Sequence, residues 1–235
     1  MYTAAIPTPG ATRRTRIVCI SDTHNSTVKL PKGDVLVHAG DLTNQGSHKE
    51  LVRAVAWLEK AEFECKIVVA GNHDITLDEA FYAHHGSHFH NQMPQSSDEC
   101  RALLDSSPTI TYLCHESVDI RLKSNKGPHT KFTVFGSPYS PRDGTWAFSY
   151  ERVNDQASPS LTTINPRPLT GGTLWSEIPN NADIVVTHTP PQSHCDWSST
   201  RGRSMGCTEL LGALRRVQPQ LAVCGHVHEG WGAEW

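Results

Sequence analysis

Asp34-Val35-Leu36-Val37-His38-Ala39-Gly40-Asp41 is an aliphatic run of strand length that closes on a glycine and a carboxylate. The same construction recurs four times. Arg16-Ile17-Val18-Cys19-Ile20-Ser21 closes on Asp22-Thr23-His24, and Lys66-Ile67-Val68-Val69-Ala70 closes on Gly71-Asn72-His73-Asp74. Asp183-Ile184-Val185-Val186 closes on Thr187-His188, and Leu221-Ala222-Val223-Cys224 closes on Gly225-His226-Val227-His228. Short β-branched and aliphatic runs bounded by glycine or polar residues read as strands buried on both faces. Cys19 and Cys224 then read as small core residues. Open α/β sheets bind ligands just beyond the carboxyl ends of their strands. The five polar clusters are therefore predicted to meet at one place.

Spacing inside the clusters supports that convergence. Asp22 and His24 are two residues apart, as are His226 and His228, so an extended backbone presents each pair on one side. Glycine precedes the ligand at Gly40, Gly71 and Gly225, where a sharp turn or a close backbone approach is needed. Carboxylate, amide oxygen and imidazole together suit Mn, Fe, Zn, Co or Ni. No thiolate is in the set, which argues against a structural cysteine-type zinc site. Each cluster alone has an ordinary reading: Gly-Asp is a common turn, and a lone strand-end histidine is usually structural. Five together at strand ends point to a binuclear metal centre acting on phosphate esters.

Composition bounds the rest. A chain of 235 residues fits one α/β domain with a full core. The formal net charge of −3 offers no broad cationic face for extended nucleic acid. The seven cysteines are dispersed without a C-x-x-C pair, which fits reduced thiols and predicts a cytoplasmic protein. No apolar signal segment follows Arg13, Arg14 and Arg16, and no stretch reaches membrane-spanning length. Residues 1–15 read as a loose arm and residues 16–235 as the domain. No oligomeric state follows from the sequence.

Between the clusters strand and helix alternate. Ser47 to Ala61 carries Leu51, Val55 and Leu58 on one stripe, with Ser47 and Glu50 as a capping box. Leu77 to His85, Ser97 to Leu104 and Gly206 to Val217 read as helices. Thr109 to Leu113, Val118 to Lys123 and Lys131 to Phe135 read as strands, with Asn125-Lys126-Gly127-Pro128 as a turn. The histidines His84, His85, His88 and His90 read as a solvated stretch rather than a third metal site. Pro138 to Gly172 is long enough to be functional, and its Tyr139, Trp146, Phe148 and Tyr150 could wall a substrate, with Arg142 as the main cation. Arg201 and Arg203 are candidate phosphate contacts.

The quoted clusters resemble the calcineurin-like metallophosphoesterases, whose pattern runs D-x-H, G-D, G-N-H-D/E, H, G-H-x-H. The likeness extends to Val134-Phe135-Gly136-Ser137-Pro138 and to Gly206-Cys207-Thr208-Glu209-Leu210-Leu211. It is strongest to the small metallophosphoesterase-domain-containing branch, associated with phosphodiester and cyclic-nucleotide hydrolysis. The resemblance implies a four-layer α-β-β-α sandwich of two mixed sheets. It implies that Asp22, His24 and His228 hold one divalent transition-metal ion, Asn72, His188 and His226 a second, and that Asp41 bridges them. Manganese is the expected metal. A bridging hydroxide would attack phosphorus in line while His73, oriented by Asp74, protonates the leaving oxygen.

The arginines that protein phosphatases carry after the bridging Asp and after their Asn-His are absent from Asp41-Leu42-Thr43-Asn44-Gln45 and His73-Asp74-Ile75-Thr76. Related chains continue past the final histidine cluster, whereas this one reaches Trp235, which raises the expectation of an early end or a partial chain. The expected substrate is a small phosphodiester, cyclic nucleotides included. A phosphomonoester is the alternative, ahead of a nuclease or a non-catalytic scaffold.

Overall fold

The computed structural model describes residues 13–152 and 170–234. The first sheet contains β1 (Ile17–Ile20), β2 (Val35–Ala39), β3 (Cys65–Val69) and β4 (Ile110–Leu113), in that order. All its pairings are parallel. The second sheet is mixed. It contains β5 (Glu116–Arg121), β6 (Lys131–Ser137), β9 (Ile184–Thr187) and β12 (Leu221–Val223), in the order β12-β9-β6-β5. Only the β5–β6 hairpin is antiparallel. Two-residue ladders β7 (Ser140–Pro141) with β8 (Ser149–Tyr150), and β10 (Trp197–Ser198) with β11 (Arg203–Ser204), lie outside the two sheets.

Side-chain alternation builds the layers. Along β2, Val35 and Val37 face the second sheet while Leu36 faces helices. β3 repeats this with Ile67 and Val69 inward and Val68 outward. On the other side, Val134, Ile184 and Val186 meet the first sheet, while Phe135 and Val185 meet helices. The period of two thus feeds three stacked apolar layers. The outer layers are closed by α1 (His48–Lys60), α2 (Glu79–Phe89) and α3 (Ser97–Asp105) on one side, and by α4 (Gly171–Ser176) and α5 (Thr208–Val217) on the other. The result is the expected α-β-β-α sandwich, with the first sheet parallel throughout.

Local signals place the helices. Ser47 caps α1, and its box with Glu50 is closed in both directions. The segment expected as a helix from Leu77 splits into a 3₁₀ turn at Ile75–Leu77 and α2, because Asp78 accepts from the Phe81 amide and starts a new helix. Cys207 caps α5, so that helix begins two residues later than expected.

Two expectations fail at sheet edges. Cys19 is exposed and Cys224 only partly buried. Both belong to or follow strands, β1 and β12, that lie at the sheet edges among the described residues. An aliphatic run signals a strand but not whether that strand is central. The arm expected over residues 1–15 lies outside the described residues up to residue 12. From Arg13 it is anchored: the guanidinium reaches both Asp34 carboxylate oxygens at 2.9 and 2.6 Å.

Candidate metal centre

β1, β2 and β3 are parallel neighbours, so their carboxyl ends lie side by side, and β9 and β12 stand likewise in the opposing sheet. The ends are stitched within each sheet and between the sheets, where the His226 amide donates to the Asp22 carboxylate at 3.0 Å. The Asp22 amide donates to the Gly40 carbonyl at 2.8 Å, and the Gly225 amide to the His188 carbonyl at 3.0 Å. At Gly225 an added Cβ would lie 2.6 Å from an Asp22 carboxylate oxygen, so only glycine admits this approach. Four candidate ligands are held with left-handed backbones: Asp22 (φ 52), His24 (φ 43), Asp41 (φ 55) and His226 (φ 72). Such strain persists only where surrounding contacts impose it, and it collects at functional sites.

The side chains gather into two groups that share Asp41. In the first, ligand atoms of Asp22, His24, Asp41 and His228 all lie within 4.8 Å of one another. His24 Nε2 is 3.2 Å from His228 Nε2 and 3.6 Å from Asp41 Oδ2, and His228 Nε2 is 3.5 Å from Asp22. In the second, Asn72 Oδ1 lies 2.9 Å from His188 Nε2 and 2.8 Å from His226 Nδ1. His188 Nε2 is also 3.4 Å from Asp41 Oδ2. Asp41 Oδ1 accepts the His73 amide at 2.8 Å.

Tautomers follow from the carbonyls. His24 Nδ1–H donates to Thr43 O at 3.1 Å, and His188 Nδ1–H donates to Ala39 O at 2.9 Å. In its neutral form each ring is left with a bare Nε2 aimed into the cluster, as metal-binding histidines are usually oriented. Bare nitrogens, an amide oxygen and carboxylates then face one another without donors between them. That arrangement calls for positive charge. Burial alone would lower the His188 pKa, but Asp41 outweighs it and raises it to about 9. Burial and His188 press His226 down to about 4. The donor set and its geometry fit divalent cations. Among the described residues the first group is the one set of three or more histidine, cysteine or carboxylate side chains drawn this closely together. The helical histidines go elsewhere: His84 donates to Ala80 O, His85 packs on Phe81, and His90 meets the Tyr82 hydroxyl.

His73 borders the cleft without joining either group. Its Nδ1–H donates to Asn44 O at 2.8 Å, and its ring lies on Trp146. Asp74 does not orient it, contrary to expectation. The fully buried Asp74 carboxylate accepts from the amides of Leu42, Thr43 and Gly71 and from the Thr43 hydroxyl at 2.7–3.1 Å. It ties the Asp41 loop to the Gly71 loop. Burial, with Asp41 nearby, pushes its carboxyl up to about 6 against those donors.

The cleft in front of these groups has a volume of about 180 Å³. Trp146, Asp143 and Arg201 also line it. The expected aromatic wall is mostly core: Phe148 and Tyr150 are buried, and Tyr139 packs against His115 and Phe148. Arg142 pairs with Glu151, away from the cleft lining. Residues 153–169 of that long segment lie outside the described residues. Asp143 was not singled out by sequence, since a lone loop aspartate carries no signal. Buried His38, whose Nε2 is 3.0 Å from the Thr23 hydroxyl, likewise carries no signal in sequence because it sits within a strand among aliphatics.

Two packed sheets with candidate metal-ligating side chains gathered at their carboxyl ends define a two-sheet α/β scaffold with a candidate metal centre. The sequence model described as calcineurin-like phosphoesterase matches residues 15–230, and the chain belongs to that family. It is 38% identical over 221 residues to a protein of Emericella nidulans named probable rhamnogalacturonate lyase C, covering 93% of this chain and 18% of that one. It is 35% identical over 228 residues to metallophosphoesterase domain-containing protein 1 of Homo sapiens, covering 93% of this chain and 62% of that protein. The chain therefore spans less than two thirds of either relative. Among solved structures, TT1561 of Thermus thermophilus superposes with a TM-score of 0.52 at 12% identity, over 90% of this chain and 81% of that one, a likeness of fold. No helix among the described residues is long and apolar enough to cross a membrane.

Proposed function

We propose that this chain hydrolyses small phosphate esters with two divalent metal ions, and that phosphodiesters, cyclic nucleotides included, are its preferred substrates. The observation that carries the reading is the position of Asp41. One carboxylate stands beside both His24 and His188, each the member of a separate group with its Nε2 turned inward. Asp22, His24 and His228 would hold one ion, Asn72, His188 and His226 the other, and Asp41 both, with manganese the expected metal. Two such ions supply Lewis-acid charge for the phosphoryl oxygens and a water of lowered pKa.

The protein groups do the rest. His73, fixed through Nδ1 by the Asn44 carbonyl, presents Nε2 to the cleft and, when protonated there, donates to the departing oxygen. Trp146 covers one face of that ring and narrows the cleft. Asp74 acts at a distance by fixing the loops that carry Asp41 and His73.

Diester preference is supported by the shortage of cations. Among the described residues Arg201 is the one lysine or arginine lining the cleft, and it is paired with Asp143. A dianionic monoester is usually gripped by unshared arginines. Kinetics on bis- and mono-nitrophenyl phosphate, with the same metal and pH, test the reading. A higher kcat/KM for the diester is expected, and a clear monoester preference would overturn it.

A further inference from the structure

In the cleft that the candidate ligands line, Arg201 Nη2 lies 2.8 Å from Asp143 Oδ2. Both residues line the same small cavity as His226 and His228. They come from different parts of the chain. Asp143 follows β7, and Arg201 sits between β10 and β11. That hairpin is not loosely placed. The Glu229 carboxylate, next in sequence to His228, accepts from the Thr200 amide at 3.2 Å and the Thr200 hydroxyl at 2.5 Å. The Arg201 amide donates to the Ser198 hydroxyl at 3.2 Å. The guanidinium is thus carried on a loop fastened to the turn bearing a candidate ligand.

The pairing has an electrostatic consequence. A guanidinium facing an anion site attracts substrate, and a carboxylate in the same cavity repels it. Paired, they present close to zero net charge. The repulsion from Asp143 acts more strongly on a dianion than on a monoanion, roughly in proportion to charge. Arg201 can still turn part of its five-donor fork toward a phosphoryl oxygen. Neither group is fully buried: the side chains are 52% exposed for Arg201 and 32% for Asp143. Solvent therefore screens both charges, and their effect on affinity is modest.

We propose that Asp143 and Arg201 together form a charge filter that sets ester class: Arg201 binds a phosphoryl oxygen of the substrate, and Asp143 disfavours substrates carrying a second negative charge there. The proposal rests on the reading of the cleft as a phosphate-ester site. Asp143 is a specificity determinant in it, and Glu229 a positioning residue for Arg201.

The test uses two anions that cannot be hydrolysed as esters. Phenylphosphonate is mainly a dianion in mildly alkaline buffer, and diphenylphosphinate is a monoanion. Each is titrated calorimetrically into the Mn²⁺-loaded protein and into Asp143→Asn and Arg201→Gln. Asp143→Asn should tighten phenylphosphonate by about fivefold or more relative to diphenylphosphinate, the scale of one removed charge near a surface. Arg201→Gln should weaken both, the dianion more. Opposite shifts in the dianion-to-monoanion ratio matter, because both variants break the contact between the two loops. If the pair were only a latch, both variants would move both affinities together and leave the ratio unchanged, which would overturn the proposal. Metal content of the wild type, measured on the same samples, reports separately on the metal centre. Normal metal loading with an unchanged ratio condemns the filter alone. Absent metal condemns the reading beneath it.

Discussion

The imidazole of His73 lies on the indole of Trp146, with ring centroids 4.0 Å apart and planes 32° from parallel. With Nδ1 engaged by Asn44 O and one face covered, the ring has one nitrogen left for the cleft. His73→Gln should keep full metal content and slow turnover by about 10²- to 10⁴-fold, the usual range for general acid–base assistance. The loss should be larger for alkyl than for nitrophenyl leaving groups, because alkoxides need the proton more. Equal losses would remove His73 from that role.

Trp146→Ala leaves the Asn44 contact in place and removes the stack, together with the packing of Trp146 on Phe89. An aromatic pair contributes about 0.5–1.5 kcal/mol beyond burial, so turnover should fall by about 2- to 10-fold. Measured beside His73→Gln with both leaving groups, a loss as large as that of His73→Gln would mean Trp146 contacts the substrate directly.

Asp74→Ala should act on stability first. It strands three backbone amides and the Thr43 hydroxyl in a fully buried place. Leaving buried donors unsatisfied costs about 1–3 kcal/mol each when no water replaces the partner, so a loss of about 3 kcal/mol or more is expected in urea unfolding. The milder Asp74→Asn should leave the leaving-group dependence of turnover unchanged. A changed dependence would restore a direct link between Asp74 and His73.

Arg13 gives a pH signature. Its guanidinium, more than any other group, holds the Asp34 carboxyl below its ordinary value of 3.8, and burial opposes it. A carboxyl depressed by folding contributes stability above its unfolded pKa and loses it as pH falls through the folded value. Arg13→Gln should therefore destabilise the fold at neutral pH. The difference from wild type should shrink and vanish in strong acid. Unfolding curves of the two proteins across that range check it, and a pH-independent difference would contradict the assignment.

Much of the site was legible because its ligands end strands. Asp22, Asp41, Asn72, His188 and His226 each follow a run whose composition fixes a strand, and parallel pairing then sets their ends side by side. What stayed hidden depends on contacts between distant segments. The sequence cannot tell that β1 and β12 are edges, so Cys19 and Cys224 looked like core residues. The family resemblance implied that Asp74 orients His73, but the turn sends Asp74 inward to Thr43. Aromatic composition suggested a substrate wall, yet Phe148 and Tyr150 fill the core and Trp146 alone of that set lines the cleft. Asp143 acquires meaning only beside Arg201.

The central claim is that Asp41 joins two metal sites, and metal stoichiometry tests it most directly. Protein stripped with chelator, reloaded with Mn²⁺, freed of excess metal and analysed for metal content should hold about two ions per chain, and Asp41→Asn should lose affinity for both together. A wild-type protein that retains one ion or none at saturation would contradict the account, as would an Asp41→Asn variant that still binds two ions with unchanged affinity.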